Sequence, residues 1–140
     1  MKIIYEDDQK SILRFDRGEE VVSGLIKHTE SVDLQSATFS GLGACDLAEL
    51  SYYDFDTQEY KKKEFAEDLE IVNLTGNISW FRGSPAVHLH GTLTRKDFSA
   101  IGGHIFRLLV SGTCEIHLQK IGDTIERKND EQSGLNLLSD

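Results

Sequence analysis

The sequence predicts an α+β domain, in which an antiparallel or mixed sheet of about seven to nine strands carries one main helix on one face. Three observations support this class. Short apolar runs of strand length, rich in β-branched and aromatic residues, recur along the chain between turn-forming segments. Only residues 18–30 place their apolar side chains at helical spacing. Helices and strands do not alternate, which excludes a doubly wound fold.

The first two strands are predicted over residues 2–5 and 11–15, with an acidic turn between them. Asp16 and Glu19 have the spacing of a capping box, so we expect the helix to begin just after Asp16. His28 lies near the C-terminal end of this helix. We expect it to lie at the surface or to cap the helix, rather than to bind a metal, because a cationic side chain suits this end of the helix dipole.

The rest of the chain predicts mainly strands. Glycines interrupt the apolar runs of residues 33–54, as expected for strands with a bulge or a close backbone approach. A turn at 54–58 precedes an exposed strand that contains Tyr60 and Phe65. Further strands are predicted over residues 69–81, 86–94, 104–110 and 113–121, with a hairpin turn at 82–85 and a loop at 95–101.

The length of 140 residues predicts one domain over 1–140, with a core over about 11–122 and a polar tail over 123–140. The tail ends in an apolar patch, Leu135, Leu137 and Leu138, that could dock on a neighbouring surface.

Composition favours a cytoplasmic protein. Cys45 and Cys114 lie in separate apolar segments without a Cys-x-x-Cys spacing, so we expect buried, reduced thiols. The N-terminal residues turn acidic too early for a signal peptide, and no run reaches the ~18 apolar residues of a membrane helix.

The net charge of −9 disfavours direct nucleic-acid binding, because an acidic surface repels phosphate backbones. The basic run at residues 61–63 lies among acidic residues. We interpret this run as a solvated edge strand or turn rather than a phosphate-binding patch.

Three histidines carry the chemistry that the sequence suggests. His88 and His90 are one residue apart on a predicted strand, so both point to one face while Leu89 points into the core. If a loop follows, the next strand pairs so that His104 lies diagonally across from His90. Diagonal neighbours are close enough for their imidazoles to converge on one ion.

Three neutral imidazoles suit a divalent transition metal, which can be zinc, iron, nickel or copper, with zinc as the expected ion, and they leave coordination positions open for water or a ligand. Gly102 and Gly103 would allow a close backbone approach beside the third histidine. Glu115 and His117 alternate along a following strand and are candidates for a supporting hydrogen-bond partner or a general base. A polar cluster at a subunit interface is the alternative interpretation of the three histidines.

Several motifs resemble, in the same order, the PPC (plants and prokaryotes conserved) domain, which is also found in plant AT-hook proteins. The resemblance runs from about residue 11 to residue 119. The matching segments are DRGEE at 16–20, GLGA at 41–44, LSYYD at 50–54, LEIVNLTGNIS at 69–79, VHLH at 87–90 and GGH at 102–104.

The resemblance implies a homotrimer with sheet surfaces in contact, and it implies that His88, His90 and His104 can hold a metal ion. The implied fold is similar to that of α-acetolactate decarboxylase, a zinc enzyme that also uses a His-x-His pair and a third histidine. Plant relatives bind AT-rich DNA through a separate AT-hook with an Arg-Gly-Arg-Pro core. The closest string here, at residues 82–85, lacks the second arginine.

The sequence leaves the function open between two main classes. One is a homotrimeric metal-dependent protein that binds or transforms a small oxygenated molecule. The other is a structural or regulatory assembly module, with DNA binding without an AT-hook as a third option. An open metal site and a rigid interface cluster need the same residues, so the sequence does not separate an enzyme from a non-enzymatic module.

Overall fold

A computed structural model describes all 140 residues and contains nine strands and one helix. The elements are β1 (Lys2–Glu6), β2 (Lys10–Asp16), α1 (Val21–Ser31), β3 (Ser36–Asp54), β4 (Glu59–Phe65), β5 (Leu69–Phe81), β6 (Ser84–Thr94), β7 (Ala100–Ile121), β8 (Arg127–Asn129) and β9 (Asn136–Leu138). The chain is therefore mostly β with a single helix, which fits the predicted α+β class.

Seven strands form one antiparallel sheet in the order β1-β2-β7-β6-β5-β3-β4, and β7 pairs in addition with β3. This extra pairing closes β3, β5, β6 and β7 into a ring of hydrogen-bonded strands. Apolar side chains that point into the ring, including Leu74, Leu89 and Leu93, are fully buried. The ring and the buried face of α1 share one core cluster of 22 residues.

Strand β7 is a single strand of 22 residues, although the sequence predicted two strands separated near residues 111–112. Ser111 and Gly112 resemble a turn, and neither has a partner in the β2 or the β3 ladder. They form an irregularity within β7, because the residues on both sides of them, Val110 and Cys114, pair with the same strand β3. Irregularities in register bend the long β3–β7 ladder instead of breaking it, one of them beside Gly43.

The predicted capping box does not cap the helix. Glu20 is the N-cap, and its carboxylate accepts hydrogen bonds from the N–H groups of Val22 and Ser23 at 3.0 and 2.7 Å. The carboxylate of Glu19 instead accepts the N–H of Asp16 at 2.7 Å. Residues 16–19 are needed to turn the chain out of β2, so the helix starts later than the sequence predicted.

The expectation of a surface position for His28 is wrong. His28 is 2% exposed and belongs to the buried face of α1 together with Val21 and Leu25. Neither ring nitrogen has a hydrogen-bond partner, and burial lowers the pKa of this imidazole. The helix therefore buries a neutral histidine at the position where the sequence suggested a cation.

The tail beyond residue 122 contains ordered structure. Strands β8 and β9 form a small hairpin, attached to the main sheet by polar contacts of Arg127 and by the hydroxyl of Tyr53, which donates to the carbonyl of Ser133 at 2.5 Å. Leu137 and Leu138 remain about half exposed, so the predicted docking of the apolar patch is only partial.

Cys45 and Cys114 are fully buried and unpaired, as expected. Burial raises the pKa of each thiol to about 12, which keeps both protonated and unreactive. No helix in the structure combines the length and apolar character needed to cross a bilayer.

Candidate metal centre

The three predicted histidines lie side by side on two adjacent strands. His88 and His90 are on β6, and His104 is on β7. His90 and His104 are directly opposite each other in the ladder, not diagonal as predicted, because the connecting loop is only residues 95–99 and β7 begins earlier than expected. Leu89 is fully buried, which confirms the predicted alternation along β6.

The imidazoles of His88, His90 and His104, termed here the histidine cluster, form a nearly equilateral arrangement. Their ring centroids are 5.1 to 5.2 Å apart for every pair, and one potential ligand atom from each lies within 4.8 Å of the others. The three rings are therefore within reach of one ion, and they come from hydrogen-bonded strands that hold the backbone in place.

Close backbone approach beside the cluster depends on Gly103. This residue has a φ of +152°, and a Cβ there would lie 2.7 Å from the carbonyl oxygen of Ser51 on β3. Any larger residue would push β7 away from β3 at the position next to His104. The close approach predicted for the glycine pair is confirmed, since a Cβ on Gly102 would also meet the backbone of Gly91 at 2.5 Å.

The cluster presents the protonation state that a metal ligand needs. Burial, followed by repulsion from His88 and His90, lowers the pKa of His104 to about 4. Burial and the neighbouring Arg127 also lower the pKa of His88. These two imidazoles are neutral at pH 7, so each has a lone pair available for coordination.

His104 also has an unsatisfied polar atom. Its Nδ1 is buried and has no hydrogen-bond partner. Buried polar atoms are nearly always paired, so an orphaned nitrogen within a histidine cluster fits a bound metal ion or a ligand group. The donor set and this orphaned atom are both compatible with a transition metal.

An open cleft of about 570 Å³ surrounds the cluster. Tyr60 and Phe106 pack against the ring of His104, with centroid distances of 5.2 and 4.6 Å, and Tyr53 packs on Tyr60 at 4.9 Å. This volume lies in the range of small-molecule sites. The cluster therefore faces a partly aromatic space that a ligand can enter.

Sequence reasoning missed Arg127, which lies 39 residues beyond His88 in the tail. Its Nη2 is 3.5 Å from Nδ1 of His88 and donates to Oδ1 of Asn77 at 2.8 Å, while Nε donates to Oγ of Ser79 at 2.7 Å. No local pattern marks this arginine. Only the docking of the tail hairpin brings it to the cleft.

Glu115 and His117 do not support the cluster. Glu115 lies opposite Arg14 of β2, and His117 lies opposite Ile12 and lines a different cavity of about 800 Å³. Because β7 is continuous, it carries these residues away from His104 at about 3.3 Å per residue. The prediction assumed a turn near residue 112 that the structure does not contain.

Solved structures of similar proteins share the fold over nearly the whole chain. A protein from Bacteroides thetaiotaomicron, described as a "putative dna binding protein", is 30% identical with a TM-score of 0.93, and the match covers 96% of this chain and 94% of that one. A metal-containing protein from Archaeoglobus fulgidus is 37% identical with a TM-score of 0.88, and all of both chains is covered. No match was found among curated protein sequences.

The predicted likeness to α-acetolactate decarboxylase is confirmed for the fold. The enzyme from Bacillus subtilis is 13% identical with a TM-score of 0.56, covering 87% of this chain and 57% of that one. A family model described as the Plants and Prokaryotes Conserved (PCC) domain matches residues 4–122. This is the family that the sequence motifs resemble, and the chain belongs to the Plants and Prokaryotes Conserved domain family.

Proposed function

We propose that this protein is a homotrimeric metal-binding protein, in which His88, His90 and His104 hold one divalent transition metal, with zinc as the expected ion. The convergence of three imidazoles on one point of an open cleft carries the proposal. The open positions of the metal bind, and in an enzyme would activate, a small oxygenated molecule. We also propose a cytoplasmic location, because the two cysteines are unpaired and thiols stay reduced in the cytoplasm.

The chemistry of the cluster supports an open site. Three protein ligands are typical of reactive zinc sites, whereas structural zinc sites use four. Neither cysteine can complete the set, because both are buried in the core. When bound, the ion would supply Lewis acidity for a carbonyl or carboxylate group. The similar Archaeoglobus fulgidus protein is itself described as metal-containing.

Metal analysis of protein purified without an affinity tag tests the proposal. We expect about one equivalent of transition metal per chain in the wild type. We expect loss of that metal in a His88→Ala/His90→Ala variant that remains folded. His117→Ala is the matched control, because this exposed histidine lies on β7 outside the cluster. Wild-type protein without stoichiometric metal, after growth in metal-supplemented medium, would refute the proposal.

The second candidate is nucleic-acid binding, which the description of the similar Bacteroides thetaiotaomicron protein favours. The net charge of −9 argues against it, since phosphate contacts require clustered cations. The basic residues Lys61 and Lys63 are exposed on the edge strand β4 and are the surface to test. Retardation of duplex DNA at physiological salt that is lost in Lys61→Glu/Lys63→Glu would favour this candidate.

An assembly module without chemistry predicts a different result. The His88→Ala/His90→Ala variant would then keep both its oligomeric state and the cellular phenotype of the wild type. Loss of the phenotype in a folded variant of unchanged mass would argue for the metal-dependent function instead.

A further inference from the structure

The cleft beside the histidine cluster contains a positive charge without a negative partner. Four lysine or arginine side chains of this protein are partly buried, and the other eleven are exposed. The partly buried ones are Arg14, Arg95, Lys120 and Arg127. The first three form ion pairs with Asp16, Glu67 and Glu6, respectively. Arg127 forms none, so it is the one partly buried cation that the protein leaves unbalanced.

Neutral groups hold the Arg127 guanidinium in place. Its three protein acceptors are Oγ of Ser79, Oδ1 of Asn77 and the carbonyl oxygen of Asn136, at 2.7, 2.8 and 2.7 Å. An arginine has five N–H groups, so two of them donate to no oxygen atom of the protein. One of them belongs to Nη2, the atom 3.5 Å from the ring of His88.

No aspartate or glutamate lines the cleft, although the protein has 24 acidic residues. Arg127 is partly buried, so its charge is only partly solvated. A partly desolvated cation without a counter-charge is unfavourable. A metal ion in the histidine cluster would add further positive charge to the same space. An anionic ligand would balance both.

We propose that the cleft binds a small organic carboxylate, one oxygen of which faces the metal position while the other accepts hydrogen bonds from Arg127. The proposal rests on the metal site proposed above. The two N–H groups that Arg127 leaves without an acceptor can both donate to this second oxygen, because each carboxylate oxygen has two lone pairs. The rings of Tyr60 and Phe106 form the wall that contacts the apolar part of the ligand.

Cobalt(II)-substituted protein tests this inference with a spectroscopic readout. Benzoate is the probe, because it combines one carboxylate with an apolar ring, and benzamide is its neutral counterpart. We expect benzoate to change the visible absorption spectrum of the cobalt protein and benzamide to leave it unchanged. In Arg127→Gln we expect the cobalt spectrum without benzoate to persist and benzoate affinity to fall about 10- to 100-fold, the usual effect of losing hydrogen bonds to a charged group.

Two further variants separate ligand recognition from a structural role of Arg127. Arg127→Lys keeps the charge but loses the planar guanidinium with its fixed N–H groups, and we expect intermediate benzoate affinity. Arg17→Gln removes the same charge from an exposed residue that makes no ion pair or side-chain hydrogen bond, and we expect wild-type affinity. Equal benzoate affinity in the wild type and a folded Arg127→Gln variant would overturn the inference.

The outcomes also distinguish this inference from the proposed metal site. A histidine-dependent cobalt spectrum that benzoate does not change overturns the carboxylate site and leaves the metal site standing. Absence of any histidine-dependent cobalt spectrum overturns both. If inorganic phosphate changes the spectrum through Arg127 and benzoate does not, the cleft binds an oxyanion of another class and the carboxylate proposal is wrong.

Discussion

His104 combines the properties that make a histidine a ligand. Its ring packs against Tyr60 and Phe106, its Nδ1 has no protein partner, and its pKa is lowered to about 4. Burial supplies the largest part of that shift, because an imidazolium ion is poorly solvated in an apolar site. The residue therefore keeps its lone pair over the whole physiological pH range.

This lowered pKa predicts how stability depends on pH in the metal-free protein. The unfolded state takes up protons near the ordinary histidine pKa of about 6.5, whereas folded His104 does so only near pH 4. The unfolded state thus binds more protons between these values. We expect the contribution of His104 to the free energy of unfolding to be constant above pH 6.5. Below that, we expect the free energy of unfolding to fall as pH decreases from 6.5 to 4.

Urea denaturation at a series of pH values measures this effect. His28 and His88 also have lowered pKa values and add to the same slope. A His104→Asn variant should show a shallower decrease between pH 6.5 and 4 than the wild type. An unchanged slope in this variant would contradict the assignment of a buried, neutral imidazole at this position.

At the level of elements, the antiparallel pairs β6–β7 and β3–β7 meet at the histidine cluster. His90 pairs with His104, and Ser51 pairs with His104 from the other side. Strand β7 is thus fixed on both edges at the residue that supplies the third imidazole. Gly103 makes this double pairing sterically feasible, because a side chain there would collide with the backbone of β3.

Gly103→Ala is therefore expected to destabilise the protein by about 1–3 kcal/mol, the usual cost of a strained backbone residue, and to lower metal occupancy. The measurements are the urea midpoint and the metal content. Gly112→Ala is the matched control on the same strand. A Cβ at Gly112 would meet only the Cβ of Ala44 at 3.9 Å, so we expect stability within about 0.5 kcal/mol of the wild type. Equal effects of the two substitutions would contradict this account.

At the level of the whole molecule, the outer face of the sheet carries apolar side chains without partners. Leu42 on β3 is 54% exposed and Val72 on β5 is 57% exposed, and both lie within the register irregularity of the β3–β5 ladder. Exposed apolar side chains that cluster mark surfaces that associate. They support the proposed homotrimer, in which sheet surfaces of neighbouring subunits are in contact.

Light scattering coupled to size-exclusion chromatography tests the trimer. We expect about three times the chain mass of 15.7 kDa for the wild type and a smaller mass for Leu42→Lys/Val72→Lys. Val32→Lys is the control, since Val32 is 39% exposed but lies at the end of α1 rather than on the sheet. A monomeric wild type, or a double variant of wild-type mass, would argue against this interface.

Local sequence patterns were sufficient for much of the fold. The alternation of apolar and polar residues predicted most strands, and the family motifs predicted the sheet with one helix that the structure contains. The errors occurred where pairing overrides local preference. Ser111 and Gly112 favour a turn and are themselves unpaired, yet the pairing of Val110 and Cys114 with β3 keeps the strand continuous through them. His28 favours the surface, yet the packing of α1 buries it.

The sequence by itself determined that His88 and His90 share a face, because the two-residue period of a strand is a local property of the backbone. Only the tertiary structure decided which groups meet them. The strand register places His104 opposite His90, and the docking of the tail hairpin brings Arg127 to the cleft. Because β7 is continuous, Glu115 and His117 lie far from the cluster along the strand. Register and docking depend on burial summed over the whole sheet, so no short segment encodes them.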